Sequence, residues 1–259
     1  MSVKELKKDL LTVRIYGSRA AMGAAAADDA ADRIRDLLGR KDEISMIFAA
    51  APSQNEMLAA LTAEPGIDWG RINAFHMDEY TGLPADAPQG FGNFLKDRLF
   101  GRLPFKSVNY LNGQSADLEA ECRRYAALLE KRPADIVCLG VGENGHVAFN
   151  DPPVADFHDP RRVKVVSLDS VCRNQQVHDG CFKKLEDVPA QALTLTVPAL
   201  TRADYLFCVV PAATKAKAVR RMLEGPVGEA CPASILRRHA HAVLYLDPES
   251  SGLLNARAE

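Results

Sequence analysis

The sequence predicts an α/β fold, a mostly parallel sheet with helices on both faces, and three observations carry that prediction. Short continuous apolar runs, as found in strands buried on both faces, alternate along the chain with longer stretches of helical pattern. The connections between them are short. The three most unusual segments, 51–55, 77–80 and 142–151, each follow the C-terminal end of a predicted strand, which is where open parallel sheets bind their ligands.

Residues 18–40 are alanine-rich, with Asp and Arg spaced along one face, and read as a helix. The run 45–51 (SMIFAAA) reads as a buried strand that leads through Pro52, Ser53, Gln54 and Asn55 into a helix ending near Leu61. Residues 71–75 form a short strand with Met77, Asp78, Glu79 and Tyr80 at its end. Residues 91–100 and the amphipathic stretch 117–131 are helical in pattern. The run 135–141 (DIVCLGV) is the clearest buried strand and opens directly into Gly142, Glu143, Asn144, Gly145 and His146. Residues 163–168, 205–210 and 242–246 read as further strands, and 214–223 as a helix. The stretch 83–92 reads as a surface loop. No internal repeat and no Gly-, Pro- or Ser-rich linker interrupts this order, so residues 1–259 read as one domain.

Composition narrows the function classes. Hydrophobic residues make up 47% of the 259 and charged residues 25%, which excludes a disordered chain. The 32 basic and 34 acidic residues give a net charge of -2 with no long basic run, which argues against nucleic-acid binding; a few local donors can still hold an anionic sugar. Cys122, Cys138, Cys172, Cys181, Cys208 and Cys231 contain no C-x-x-C pair, so free thiols in a reducing compartment are expected rather than disulfides or a zinc site. Residues 1–9 lack the apolar core of a signal peptide, and no stretch is long and apolar enough to span a membrane. The expected setting is cytoplasmic.

The loops carry the chemistry. Two glycines flank Glu143 and Asn144 just after a buried strand; Gly142 and Gly145 permit positive φ and close backbone approach, and the turn's N–H groups can hold an anion. His146 then stands at the mouth of the sheet, where acid–base work at neutral pH is available to it, although on spacing alone a plain turn with a surface histidine fits better, a glycine-rich loop by itself being a weak signal. Asn150 and Asp151 follow, stiffened by Pro152 and Pro153. Asp78 and Glu79 are adjacent and cannot both face the same way: one is free to face a ligand while the other makes a structural bond. An acid at such a place can shuttle a proton between neighbouring carbons of an open-chain sugar if burial tunes it. Two solvated loop acids are the alternative.

Residues 73–83 (NAFHMDEYTGL) and 139–152 (LGVGENGHVAFNDP) resemble the two signature segments of the glucosamine-6-phosphate deaminase/isomerase family. The resemblance extends through Tyr110-Leu111-Asn112-Gly113, Ala192-Leu193-Thr194 and the helix carrying Lys215, in the same order. It implies a three-layer Rossmann-like fold. It also implies an enzyme that opens an amino-sugar phosphate, isomerises aldose to ketose and releases ammonia without metal or organic cofactor. The reaction would take glucosamine 6-phosphate to fructose 6-phosphate, or run on the galactosamine counterpart. Asp78 matches the family acid that moves the proton between C1 and C2, and His146 the histidine that assists ring opening. Lys215 matches the phosphate lysine. Assembly into a homo-oligomer stays open, because family members differ.

The departures from the pattern are specific. Asn144 replaces an Asp that would lend charge to His146, so a less basic imidazole is expected. Asp151 replaces a longer Glu. The phosphate loop is Ala50-Ala51-Pro52-Ser53, in which Ala51 offers backbone and Ser53 the one obvious hydroxyl. The phosphate arginine aligns near Gln176, with Arg173 one turn away. The rival readings are a 6-phosphogluconolactonase-type hydrolase and a non-catalytic sugar-phosphate sensor. The segments at 77–80 and 149–152 favour the deaminase side.

Overall fold

A computed structural model describes residues 3–254; the first two residues of the charged stretch 1–9 and the last five of the chain lie outside the described residues. The chain opens with β1 (Lys4–Lys8), β2 (Leu11–Ile15) and α1 (Arg19–Leu38), then β3 (Ile44–Phe48), α2 (Asn55–Ala63), β4 (Ile72–His76) and β5 (Asp78–Tyr80). α3 (Phe91–Leu95), β6 (Ser107–Asn109), α4 (Leu118–Lys131) and β7 (Ile136–Leu139) follow. β8 (Val163–Ser167), α5 (Ser170–His178), β9 (Gln191–Leu195), α6 (Val197–Thr201), β10 (Tyr205–Val210), α7 (Ala216–Glu224) and β11 (Ala242–Leu246) complete it.

The main sheet runs β1-β2-β11-β10-β7-β3-β4-β6 and is parallel throughout except for the β1–β2 hairpin. Alternation along the strands divides the core in two. Met46 and Phe48 of β3, with Ile136 and Cys138 of β7, pack toward α1 and α2, whereas Ile47, Val137 and Leu139 pack toward α4, α6 and α7. The result is the three-layer α/β arrangement the sequence predicts. Helix ends are set by short polar side chains: Ser18 accepts from Ala21 N, Asp117 from Ala120 N and Asp169 from Cys172 N. Gly23 is where α1 meets α2; a Cβ there would stand 2.5 Å from Glu56 Cβ.

Four parts of the sequence reading change. The N-terminal hairpin is absent from it because β1 (KELKK) is a charged, largely exposed edge strand with no apolar run to betray it. The strand expected at 163–168 forms as β8 but lies outside the parallel sheet, in an antiparallel sheet of order β5-β9-β8. Asp78, Glu79 and Tyr80, expected as loop, form β5 of that second sheet, paired with β9. The helix expected over 91–100 is α3 continued by a π-helical turn at Lys96–Phe100. All six cysteines are free, and no helix among the described residues is long and apolar enough to cross a membrane.

Candidate active site

The three loops marked out by the sequence meet at one cavity of about 430 Å³ beyond the C-terminal ends of β3, β4 and β7. Residues 49–54, Met77, Asp78, Gly140–Gly142, His146, Ala148 and Phe149 line it, with Lys215 and the 175–181 segment on the remaining wall.

Asp78 arrives at the cavity through a braced strand end. The Tyr125 hydroxyl accepts from His76 N at 3.1 Å and lies 2.8 Å from His76 O, to which it donates. His76 Nε2 accepts from Leu111 N at 2.8 Å, and burial pulls this imidazole down to a pKa of about 3, so it is a neutral acceptor. Two residues on, Asp78 is 6% exposed, and no group among the described residues hydrogen-bonds to its carboxylate. Burial first, and the neighbouring Glu79 second, hold that carboxyl well above the usual Asp range. Glu79 faces the other way: its oxygens accept from Tyr80 N, Phe91 N and Gly92 N at 2.8–3.0 Å, fastening the start of α3. The two adjacent acids divide the work as their adjacency requires.

The 142–151 loop is built around the imidazole. His146 Nδ1 lies 2.8 Å from Asn144 Oδ1 and 2.8 Å from Asp151 Oδ1, and Asn144 Nδ2 donates to the same Asp151 oxygen at 2.8 Å. Nδ1, facing two oxygens, therefore carries a hydrogen, and in the neutral ring Nε2 is the lone-pair nitrogen. Asp151 is buried, which alone would raise its carboxyl, but the hydrogen bonds from His146 and Asn144 bring it below the usual range. Asn144 supplies no charge to the imidazole, as expected; a carboxylate reaches the ring from Asp151, seven residues further along the chain. Gly142 lies flat against the ring, where a Cβ would stand 2.1–2.4 Å from its atoms. Gly145, expected to bind substrate, does not line the cavity; with φ +90 it turns the chain beside Cys231.

Strand β9 holds the two catalytic candidates in register. Asp78 pairs with Thr194 across the β5–β9 ladder. Thr194 Oγ1 in turn accepts from Phe149 N at 3.0 Å, and Asn150 Nδ2 donates to Leu195 O at 2.8 Å. The strand after β4 and the loop after β7 are therefore both fastened to the same two residues. Helix α5 braces the loop from behind, with Gln175 Oε1 accepting from Glu143 N at 2.8 Å.

On the opposite wall, Ala51 and Ser53 line the cavity as expected, at the turn preceding α2. Lys215 is buried, and its Nζ has no hydrogen-bond partner among the described residues; burial lowers its pKa. Ala212, three residues before it, is held at φ 80 while its N–H donates to Asp247 Oδ2 at 3.0 Å, so the backbone that presents the lysine is fixed. Arg173 is not part of the site: its guanidinium donates to Leu185 O and Val188 O at 2.8 Å each. Gln176 does line the cavity, as do Asp179 and Arg98, which the sequence reading passed over. Arg98 sits in a helical pattern with no motif around it, and nothing in the sequence marks it out. His146, Asp151 and Cys172 each bring one ligand-capable atom within 4.8 Å of the others. Nδ1 and Asp151 Oδ1 are already engaged with each other and with Asn144, so the hydrogen-bond set accounts for this cluster without an ion.

The chain is similar to proteins of one known family. The family model for glucosamine-6-phosphate isomerases and 6-phosphogluconolactonase matches residues 17–245. A glucosamine-6-phosphate deaminase of Bacillus thuringiensis (strain Al Hakam) is 37% identical over 187 residues, 72% of this chain and 70% of that protein. Among solved structures, a monomeric glucosamine-6-phosphate deaminase superposes with a TM-score of 0.84 at 29% identity, over 93% of this chain and 99% of the other. The 6-phosphogluconolactonase of Trypanosoma brucei shares the fold, with a TM-score of 0.77 at 18% identity over 97% of this chain and 100% of the other. With its signature loops gathered on one cavity and the match running over most of its length, the chain belongs to the glucosamine-6-phosphate isomerase/6-phosphogluconolactonase family.

Proposed function

We propose that the protein deaminates an amino-sugar phosphate, taking glucosamine 6-phosphate, or its galacto epimer, and one water to the ketose 6-phosphate and ammonia. The observation that carries this reading is Asp78, a buried carboxyl without a hydrogen bond among the described residues, on the cavity that also holds His146. Its raised pKa suits a group that must accept a proton and give it back near neutral pH.

The sequence of steps follows from the two groups. His146 Nε2 takes the proton of the sugar's O1 hydroxyl and returns it to the ring oxygen as the C1–O5 bond breaks, leaving the open-chain aldehyde. Asn144 and Asp151 steady the imidazolium that forms in between. Asp78 removes the C2 proton; the electron pair becomes the C1=C2 bond of an enaminol, with O1 taking up a proton from the substrate's own C2 ammonium. Asp78 then delivers its proton to C1, which places a C=N bond at C2. Water adds there and ammonia leaves. Lys215, buried with no partner among the described residues, supplies the positive charge for the phosphate, with the Ser53 hydroxyl and the backbone at Ala51 beside it. Gly145 serves this site through the turn it makes. The same reading treats the chain as one catalytic domain in the cytoplasm, supported by the cavity's use of both sheets and by six free thiols.

The test is ammonia release with ketose phosphate formation from both epimers, alongside hydrolysis of 6-phosphogluconolactone. Ammonia in step with ketose phosphate is expected. Lactone hydrolysis without ammonia, or folded protein inert toward both amino sugars, contradicts the proposal.

A further inference from the structure

Helix α5 faces the cavity but brings no cation to it. Gln175 and Gln176 line the wall, Asp179 adds a carboxylate, and Arg173 is committed to two backbone carbonyls. The positive charge on the cavity wall comes instead from Lys215 and from Arg98. Arg98 stands in the π-helical turn Lys96–Phe100, a departure from α-helical spacing that re-aims side chains and is frequent at functional sites. Its guanidinium lies 3.8 Å over the Phe94 ring, and its Nε donates to Asn55 Oδ1 at 2.8 Å. Those contacts fix the plane of the guanidinium yet use one of its five N–H donors. Among the described residues no carboxylate lies within 4.0 Å of it. Asn55 opens α2 directly after the 51–54 turn, so the same bond ties the arginine to the loop that carries Ser53.

We propose that Arg98 binds the substrate's phosphate together with Lys215 and so selects phosphorylated over free amino sugars. A planar guanidinium held by one edge and one face keeps its other edge for two phosphate oxygens, while Lys215 acts as a point charge from a second direction. The anion clamp then draws on the segment after α3 and the turn before α7, and α5 is left to brace the catalytic loop. The assignment rests on the amino-sugar phosphate reading given above.

The experiment compares Arg98→Gln, Arg98→Lys and the exposed control Arg102→Gln with the full-length wild type. It measures kcat/KM for glucosamine 6-phosphate and for glucosamine, and the calorimetric Kd for inorganic phosphate. A lost charged hydrogen bond predicts phosphate binding weaker by on the order of 10- to 100-fold in Arg98→Gln, and a preference for the phosphorylated sugar reduced by the same factor. Arg98→Lys recovers part of both, and Arg102→Gln changes neither. Wild-type phosphate affinity in Arg98→Gln, or an equal loss toward both sugars at an unchanged melting temperature, overturns the proposal. If the wild type releases no ammonia from either sugar, the deaminase reading fails while the phosphate titration still decides the role of Arg98.

Discussion

Around His146 the ring nitrogen, the Asn144 amide and the Asp151 carboxylate answer one another at 2.8 Å, whereas among the described residues the Lys215 ammonium on the same cavity has no partner and the Arg98 guanidinium spends a single donor on Asn55. The difference follows from what each end must do. A proton-transferring group needs its geometry and tautomer fixed before substrate arrives, so its partners are built into the fold. A cation that binds a phosphate is completed by the ligand; its stability cost in the free protein is offset on binding. Asp78 shares features of both ends: its backbone is locked through β9 and Tyr125, while its carboxylate is kept unbonded for the reaction.

Four substitutions break this contrast at different points. Asp78→Asn has the largest expected effect, a fall in kcat of about 10³-fold or more, since it removes the acid–base group outright. It also carries a stability signature. The folded carboxyl is held above its unfolded value, so ionisation at neutral pH favours the unfolded chain, and stability falls as pH rises through that window. Asp78→Asn removes this cost and should melt higher than wild type at neutral pH; an inactive variant that also melts lower would point to misfolding instead.

Asp151→Asn comes next, with kcat lower by about 10²-fold as the imidazolium loses the carboxylate beside its Nδ1. The folded Asp151 carboxyl lies below its unfolded value, so its stabilisation is present above the ordinary carboxylate range and is lost as pH falls through the lowered value. Melting curves across acid pH should therefore show a shallower decline in Asp151→Asn than in wild type.

Lys215→Met belongs to the other end and should act on KM, raising it by on the order of 10- to 100-fold. The buried ammonium's pKa is lowered, so the unfolded chain binds that proton more readily and wild-type stability rises with pH through the window below the ordinary lysine value. The methionine should erase that rise and weaken the stabilisation that phosphate gives to wild type. Equal phosphate-induced shifts in the two proteins would remove Lys215 from the anion site. The smallest effect is expected for Arg173→Gln: KM within about 2-fold of wild type, with a stability loss of about 1–2 kcal/mol from two carbonyl bonds, read by chemical denaturation.

Much of this was legible in the sequence because strand burial and loop position are local signals. The apolar runs at 45–51, 135–141 and 205–210 announce two-sided strands, and the polar loops at their ends announce the site. The second sheet was less visible: β5 is three residues long and β9 shows its role only once Thr194 is seen to hold both Asp78 and the Phe149 backbone. Pairwise partnerships across the chain were out of reach for the same reason. The sequence marks Asp151 out with Asn144 and His146 in one polar loop, but spacing alone does not show that its carboxylate meets His146 Nδ1. Arg98 reaches the cavity by a π-helical turn that leaves no mark in residue spacing, while Arg173, nearer to the expected position in sequence, turns away. At the place of the family's phosphate arginine the sequence itself carries Gln176, and that glutamine lines the cavity.

The central claim is that Asp78 moves a proton from C2 of the sugar. Glucosamine 6-phosphate incubated with the enzyme in deuterium oxide, and followed by proton NMR, reads that step directly. Wild type should lose the C2 proton signal in step with ammonia release and gain one hydrogen or deuterium at C1 of the ketose phosphate, while Asp78→Asn does neither. A C2 proton that persists with folded wild-type protein, or exchange in Asp78→Asn at the wild-type rate, would contradict the account.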